Sequence, residues 1–369
     1  MDTITENSVS FIGLSDSKLD DDKMDHALNL FITDYNLKEL EEMSISIANI
    51  FSKYITYEYS DYLMILTKTY YTYRKSIEHN LSENKNIHGN LDFYDLIRIF
   101  IIELTERKNE LYEDRKNILT IVSLYSLERS FNGIIKNNIK IKKIFTELNP
   151  YYKEIKDFNS QISFFDCIQK NISDLGSRYL MVITEGSYGL ETVKLLLNKI
   201  NRKYKELIGS KFENDMITGK YSKEILDKIQ NIIETDNILI MKDLDMIYPS
   251  LYNLFNQKII PVYNKKYARI ADEYINIGIE INQNFYIIIL VDKYQIENNK
   301  LPPPFLNYFE KHILNFDTYL EERDINIAKK ITNYIKLVVS LNNNQNLKKD
   351  LDKLLIICSL DNIKFLIFK

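Results

Sequence analysis

Three short apolar runs constrain this chain more than anything else in it. "RYLMVIT" (178–184), "NILIM" (237–241) and "NFYIIILVD" (284–292) are nearly free of polar residues and contain many β-branched side chains. Runs of this kind suit strands buried on both faces. Helical stretches follow two of them, from Glu191 to about Ile200 and near Ser250–Gln257. Strands spaced by helices predict an α/β fold, with a parallel sheet layered between helices.

The chain before Arg178 reads differently. Leu40, Met43, Ile47, Ile50 and Tyr54 recur at three- and four-residue steps, as do Leu91, Tyr94, Ile97, Ile101 and Leu104 behind the start signal Gly89-Asn90. Residues 34–148 are therefore expected to form a helical unit. Ahead of it, "SVSFIGL" (8–14) suits a strand. A helical tail is expected over roughly 318–350, and "KLLIICSL" (353–360) suits a last strand. Only 9 glycines occur in 369 residues, which agrees with a helix-rich chain. The excess of Ile, Asn, Lys and Tyr has the look of an AT-rich genome, so periodicity outweighs propensity here.

Composition excludes several functions. With 48 Lys+Arg against 52 Asp+Glu, the chain lacks the basic excess of a dedicated nucleic-acid binder. Cys167 and Cys358 are the only cysteines and there are four histidines. A RING module needs about eight Cys/His ligands, so none can be built here, and no metal site is expected. No apolar stretch reaches the roughly 18 residues of a membrane span. The polar start "MDTITENSVS" is not a secretory signal, and the cysteine usage suits a cytoplasmic location.

The turn after the first strand run could carry chemistry. A strand, a glycine-bearing turn and a helix make a phosphate cradle when a Lys and a Ser/Thr follow the last glycine. Here the loop reads Thr184-Glu185-Gly186-Ser187-Tyr188-Gly189, and Leu190 and Glu191 stand at the Lys and Ser/Thr positions. A degenerate loop is the main expectation and weak nucleotide binding the other. The candidate nucleotide-site residues are Gly186, Ser187 and Gly189, with Asp243 or Asp245 at the end of the second strand run. An adjacent acidic pair for Mg²⁺ is missing there. Arg129 and Arg178 are expected at a helix surface or strand edge, and His26 and His312 as structural residues. No catalytic grouping is visible.

Several uncommon strings in one order resemble the AAA+ core of the mysterin family of giant RING-type E3 ubiquitin ligases. They are "SRYLMVIT" (177–184), "GSKF" (209–212), "YPSLYNLFNQ" (248–257) and "LPPPFLNYFEKH" (301–312). Upstream, "FIGLSDSKLDDDKMDHAL" (11–28), "GNLDFYDLIRIF" (89–100) and "LERSFNG" (127–133) are similar to the sensor turn and lid of a preceding unit. Downstream, "DLDKLLIICSLD" (350–361) is similar to the start of another unit.

The resemblance implies a P-loop NTPase-like (AAA+) parallel sheet flanked by helices, with helical lid subdomains. It divides the chain into the end of a preceding AAA core (1–33), a helical lid and connector (34–170), a degenerate AAA core (171–317), a helical lid (318–349) and the start of a further unit (350–369). Where the family pattern has an arginine after Asn, this chain has Asp25-His26 and Asn307-Tyr308. Neither His nor Tyr supplies the permanent bidentate charge of an arginine finger.

The family's ubiquitin transfer and ATPase activity are not carried by matched residues here. The expected role is a non-catalytic, structural or force-transmitting core segment. It would need no cofactor itself, ATP and Mg²⁺ belonging to the family's active units. Its partners would be the rest of an AAA+ ligase core or the ubiquitin machinery, with the oligomeric state open. One alternative is a divergent nucleotide-binding ATPase. Another is a standalone helical adaptor using an exposed groove around the Tyr-rich stretch 54–73.

Overall fold

The computed structural model describes residues 34–340, apart from 53–56, 79–86, 113, 151–162, 175, 186–187, 211, 213–214, 216–218, 264, 272–275, 299, 317–319 and 321, together with isolated positions outside that range. The strand expected over 353–360 and His26 lie outside the described residues, as does the strand expected over 8–14 apart from Ile12 and Gly13, which are exposed and not in a strand. Leu37–Lys369 make one compact unit, distinct from Met1–Asn36.

Six helices come first: α1 (Leu37–Phe51), α2 (Ser60–Glu78), α3 (Asn90–Glu106), α4 (Arg115–Phe131), α5 (Ile135–Leu148) and α6 (Phe164–Ser173). The first five share a core that includes Leu40, Leu66, Phe93, Phe100, Leu127 and Phe145. Helix α3 starts where Gly89-Asn90 predicts, with the Gly89 N–H donating to Asp92 Oδ2 at 2.7 Å. Ile50, read as part of the first apolar stripe, is exposed instead. In the Tyr-rich stretch Tyr59, Tyr62, Tyr70 and Tyr73 are buried in the helical core, whereas Tyr57 is exposed.

The sheet follows. Its strands are β1 (Tyr179–Thr184), β2 (Tyr204–Ile208), β3 (Ile238–Lys242), β7 (Tyr286–Asp292) and β8 (Phe309–Ile313), in the spatial order β2-β3-β7-β1-β8 and all parallel. Helix α7 (Gly189–Lys199) joins β1 to β2, and α8 (Gly219–Ile233) joins β2 to β3. Every residue of β1 is buried, as a central strand covered on both faces requires. The expected parallel sheet is thus present, carried by all three apolar runs.

Between β3 and β7 lies a 3-10 turn (Asp245–Leu251), a short α9 (Tyr252–Phe255) and an antiparallel meander of β4 (Ile259–Val262), β5 (Lys265–Ala271) and β6 (Asn276–Ile281). The helix read over 250–257 is therefore mostly the end of that turn plus one helical turn. Helices α10 (Lys293–Glu297) and α11 (Pro303–Asn307) lead into β8, and α12 (Glu322–Ser340) follows it.

The strings that carried the resemblance meet in space. Tyr248 stacks on Phe305 with centroids 4.8 Å apart and planes at 15°, while Phe255 packs against both Phe305 and Phe309. "YPSLYNLF" and "LPPPFLNYF" are two halves of one aromatic cluster between β3 and β8.

Candidate functional site

In an open parallel sheet, ligands bind beyond the carboxyl ends of the strands where the strand order reverses. Here that place is the end of β1, flanked by β7 and β8. Thr184 ends β1 opposite Asp292 of β7, and α7 begins at Gly189. The helix starts hard against the strand: a Cβ on Gly189 would lie 2.3 Å from Thr184 Cγ2. Tyr188 is buried against Phe316, centroids 4.9 Å apart. Gly186 and Ser187 lie outside the described residues.

Asp243 and Asp245 stand just beyond β3, so they and Gly189 lie at the same end of the sheet, with β7 between β3 and β1. Asp243 is half-buried with φ 55°, a left-handed conformation that Asp tolerates better than most residues. Its carbonyl oxygen occupies the space where a Cβ on Gly209 would sit, 1.6 Å away. Only glycine fits at 209, which explains part of the "GSKF" string.

Helix α10 laces the strand ends together. Lys293 Nζ pairs with Glu185 Oε2 at 3.1 Å, and Gln295 Nε2 donates to Asp245 Oδ2 at 3.2 Å. Asp292, the polar residue at the end of the third run, accepts from the Tyr294 N–H and caps α10. Leu190 packs against the core, and Glu191 is mostly exposed and pairs with Lys194. The rim of this edge holds five carboxylates: Glu185, Glu191, Asp243, Asp245 and Asp292. Beside it opens a cleft of about 640 Å³, lined by Asp245, Tyr252, Gln295, Lys300 and Pro302 among others. Among the described residues, no group of three or more His, Cys, Asp or Glu is disposed to hold a metal.

A second concentration of charge lies where the helical unit covers β8. Arg129 of α4 donates Nε and Nη2 to the two carboxylate oxygens of Glu310, both at 2.9 Å. Glu310 also accepts from Asn171 Nδ2 at 2.6 Å and contacts His312 Nε2 at 2.9 Å. Burial would raise the Glu310 pKa, but the Arg129 guanidinium outweighs it and holds the carboxyl well below its usual range. Asp92 of α3 receives Arg178 Nη2 at 2.9 Å and Lys311 Nζ at 3.1 Å. Burial opposes its ionisation, yet these two cations bring its pKa to about 2. Arg178 also reaches Asp95 and the Asn307 carbonyl, and Arg98 links Asp95 to Asp174.

Arg129 and Arg178 are therefore neither helix-surface nor free strand-edge residues; both are held in ion pairs between the helical unit and the sheet. His312 sits beside Glu310 and is fully buried. Sequence reading missed Asp92, Asp95, Lys311 and Glu310 altogether. The only available signal was charge inside otherwise apolar segments, "NLDFYDLIRIF" and "YFEKHIL". Cys167 is buried, and its thiol is pushed up by that burial, which makes it inert as a nucleophile.

Comparison with known proteins agrees with this architecture. Residues 169–320 match the family model described as the RNF213 AAA domain. The chain is similar to the E3 ubiquitin-protein ligase RNF213 of Homo sapiens, 23% identical over 92% of this chain, and to that of Mus musculus, 24% identical over 88%. It is also similar to the ligase rnf213-beta of Danio rerio, 21% identical over 89%. The chain spans about 6% of the length of each of these relatives. No described helix is long and apolar enough to cross a membrane. Over residues 169–320 the chain is thus similar to the RNF213 (mysterin) AAA domain, and most of the chain is similar to one short stretch of those ligases.

Proposed function

We propose that this chain acts as a non-hydrolytic AAA-derived segment of a mysterin-like ligase core, carrying force or shape between neighbouring parts rather than turning over ATP. The observation behind the proposal is the composition of the β1 edge. A triphosphate needs cations and N–H donors facing it, with a Mg²⁺ ligand beside the β- and γ-phosphates. At the Lys and Ser/Thr positions stand Leu190 and Glu191, and nearby Lys293 is already paired with Glu185. These side chains do not fit a Mg–nucleotide. The phosphate loop is read as degenerate, and Gly186, Ser187, Gly189, Asp243 and Asp245 as its remnant.

The transmitting role rests on the buried ion pairs. Arg129–Glu310, Arg178–Asp92 and Lys311–Asp92 tie α3 and α4 to β1 and β8, so the helical unit and the sheet edge move as one block. A rigid block of that kind passes displacement on without needing its own chemistry. Ubiquitin transfer would then belong to other parts of such a ligase, with this chain working in the cytoplasm beside them.

The rival reading is a divergent ATPase, favoured by Gly189, Asp243 and Asp245 standing at one end of the sheet. Binding of a fluorescent ATP analogue with Mg²⁺ separates the two. Asp243→Asn and Lys293→Ala are the informative variants. Gly189→Asp would clash with Thr184 and confuse lost binding with lost folding. Saturable binding that these two variants change would favour the rival.

A further inference from the structure

Asn132 and Gly133 form the one Asn-Gly pair in a chain rich in asparagine. This dipeptide is the one most open to spontaneous deamidation, because no side chain on glycine shields its backbone nitrogen from the asparagine amide. The pair lies where α4 ends against β8. Asn132 is half-buried with an extended backbone, and Gly133 is buried at φ 109°. Hydrogen bonds hold the asparagine in place. Its Oδ1 accepts from the Gly133 N–H at 2.7 Å and from the Ile313 N–H at 3.4 Å, and its Nδ2 donates to Glu128 Oε1 at 2.7 Å. The Asn132 carbonyl oxygen meets His88 Nε2 at 2.9 Å, and Glu128 pairs in turn with Lys142 of α5. The attacking nitrogen thus lies beside the amide in the wrong state. It keeps its proton and points it at Oδ1, whereas attack needs a deprotonated nitrogen over the face of Cγ.

We propose that Asn132 is a self-modification site which the joint between α4 and β8 holds closed, and whose product keeps that joint from closing again. When the joint opens, the Gly133 nitrogen loses its proton to solvent base and bonds to Asn132 Cγ. The Cγ–Nδ2 bond breaks, and the departing amine takes up a proton and leaves as ammonia. Water then opens the succinimide ring at either carbonyl, giving aspartate or isoaspartate. Neither product fits the closed joint. A carboxylate at 132 puts an oxygen where Nδ2 now donates to Glu128, so two like charges would meet at hydrogen-bond distance. Isoaspartate also lengthens the backbone beside Gly133, which is packed so closely that a Cβ there would lie 3.1 Å from Lys311 Cβ. The reaction therefore loosens the helical unit from the sheet in one direction only. It does so whether or not the β1 edge binds nucleotide.

The test incubates the full chain at neutral pH and follows residue 132 by peptide mass spectrometry, with aspartate and isoaspartate resolved chromatographically. The chain unfolded in urea should convert Asn132 ahead of its other asparagines. The native chain should convert it more slowly by about a hundredfold or more, since the reaction waits for the joint to open. Arg129→Ala, which breaks the ion pair to Glu310 across the same joint, should speed conversion in the folded protein by about tenfold or more. If that variant does not fold, the parent in urea below its unfolding midpoint gives the same readout. Asn132→Asp, one of the two products, should melt several degrees below the parent. The proposal is overturned if the native chain converts as fast as the unfolded one, or if Asn132 does not lead in the unfolded chain. It is equally overturned if loosening the joint leaves the rate unchanged, or if Asn132→Asp melts with the parent.

Discussion

Arg129 and Glu310, 181 residues apart in sequence, face each other as a bidentate ion pair with both N···O distances 2.9 Å and almost no solvent exposure. One lies on a helix of the N-terminal unit and the other on the edge strand of the sheet. Their pairing explains how a strand reading "FEKHI" can be buried along its length: each of its charges has a partner waiting.

Breaking that pair from one side leaves a buried charge without compensation. Arg129→Ala or Glu310→Ala should each lower unfolding free energy by about 3–5 kcal/mol. Arg129→Met combined with Glu310→Leu should cost clearly less than the sum of the singles, though Asn171 and His312 also lose a partner. Urea denaturation of the four proteins is the check. Near-zero effects in the single variants would contradict the buried clamp.

Acid should weaken the fold in two stages. His88 is buried, with Tyr73 OH at 2.7 Å from Nδ1 and the Asn132 carbonyl at 2.9 Å from Nε2. Burial brings its pKa down to about 4 from 6.5, so between those values the unfolded chain takes up a proton that the folded chain refuses. Stability is complete above about pH 6.5 and falls by about 3 kcal/mol on the way to about pH 4. Asp92, with its folded pKa depressed to about 2, is ionised in the native state where the unfolded chain is protonated, and its contribution drains away below about pH 4. His88→Gln should flatten the first stage and leave the second.

Gly209→Ala tests the close approach at the end of β3. The added methyl would meet the Asp243 carbonyl at 1.6 Å, so backbone must move. A loss of about 2 kcal/mol or more is expected from thermal or denaturant unfolding. Gly219→Ala, where a Cβ meets nothing within 4 Å, is the matched control and should change little.

The aromatic cluster that joins the two resemblance strings should behave as core. Phe305→Ala removes a ring packed against Tyr248, Phe255 and Phe309, and should cost about 3–5 kcal/mol. Phe305→Leu should recover part of that. An equal cost for both would point to shape rather than burial as the controlling factor.

How much of this was legible in the sequence depended on burial. β1, β3 and β7 are central strands, so they are apolar throughout and stand out as runs. β2 is an edge strand whose Lys205 and Glu206 face solvent, and its five residues give no run. β8 hides for a different reason: Glu310 and Lys311 are buried but paired with Arg129 and Asp92, more than a hundred positions away, and no local pattern records that. The meander was missed because Pro261 and the Lys265-Lys266 pair break its alternation. At the candidate nucleotide site, the residue types at the loop were readable in advance. The Lys293–Glu185 and Gln295–Asp245 links were not, since they depend on β7 lying between β1 and β3.

The most direct test of a non-hydrolytic segment is phosphate release by the full chain in ATP and Mg²⁺, measured against the same protein after heat denaturation. The predicted result is no release above the denatured control, with Asp243→Asn indistinguishable from the parent. Sustained turnover that Asp243→Asn abolishes, with folding intact, would contradict it and make the β1 edge a working ATPase site.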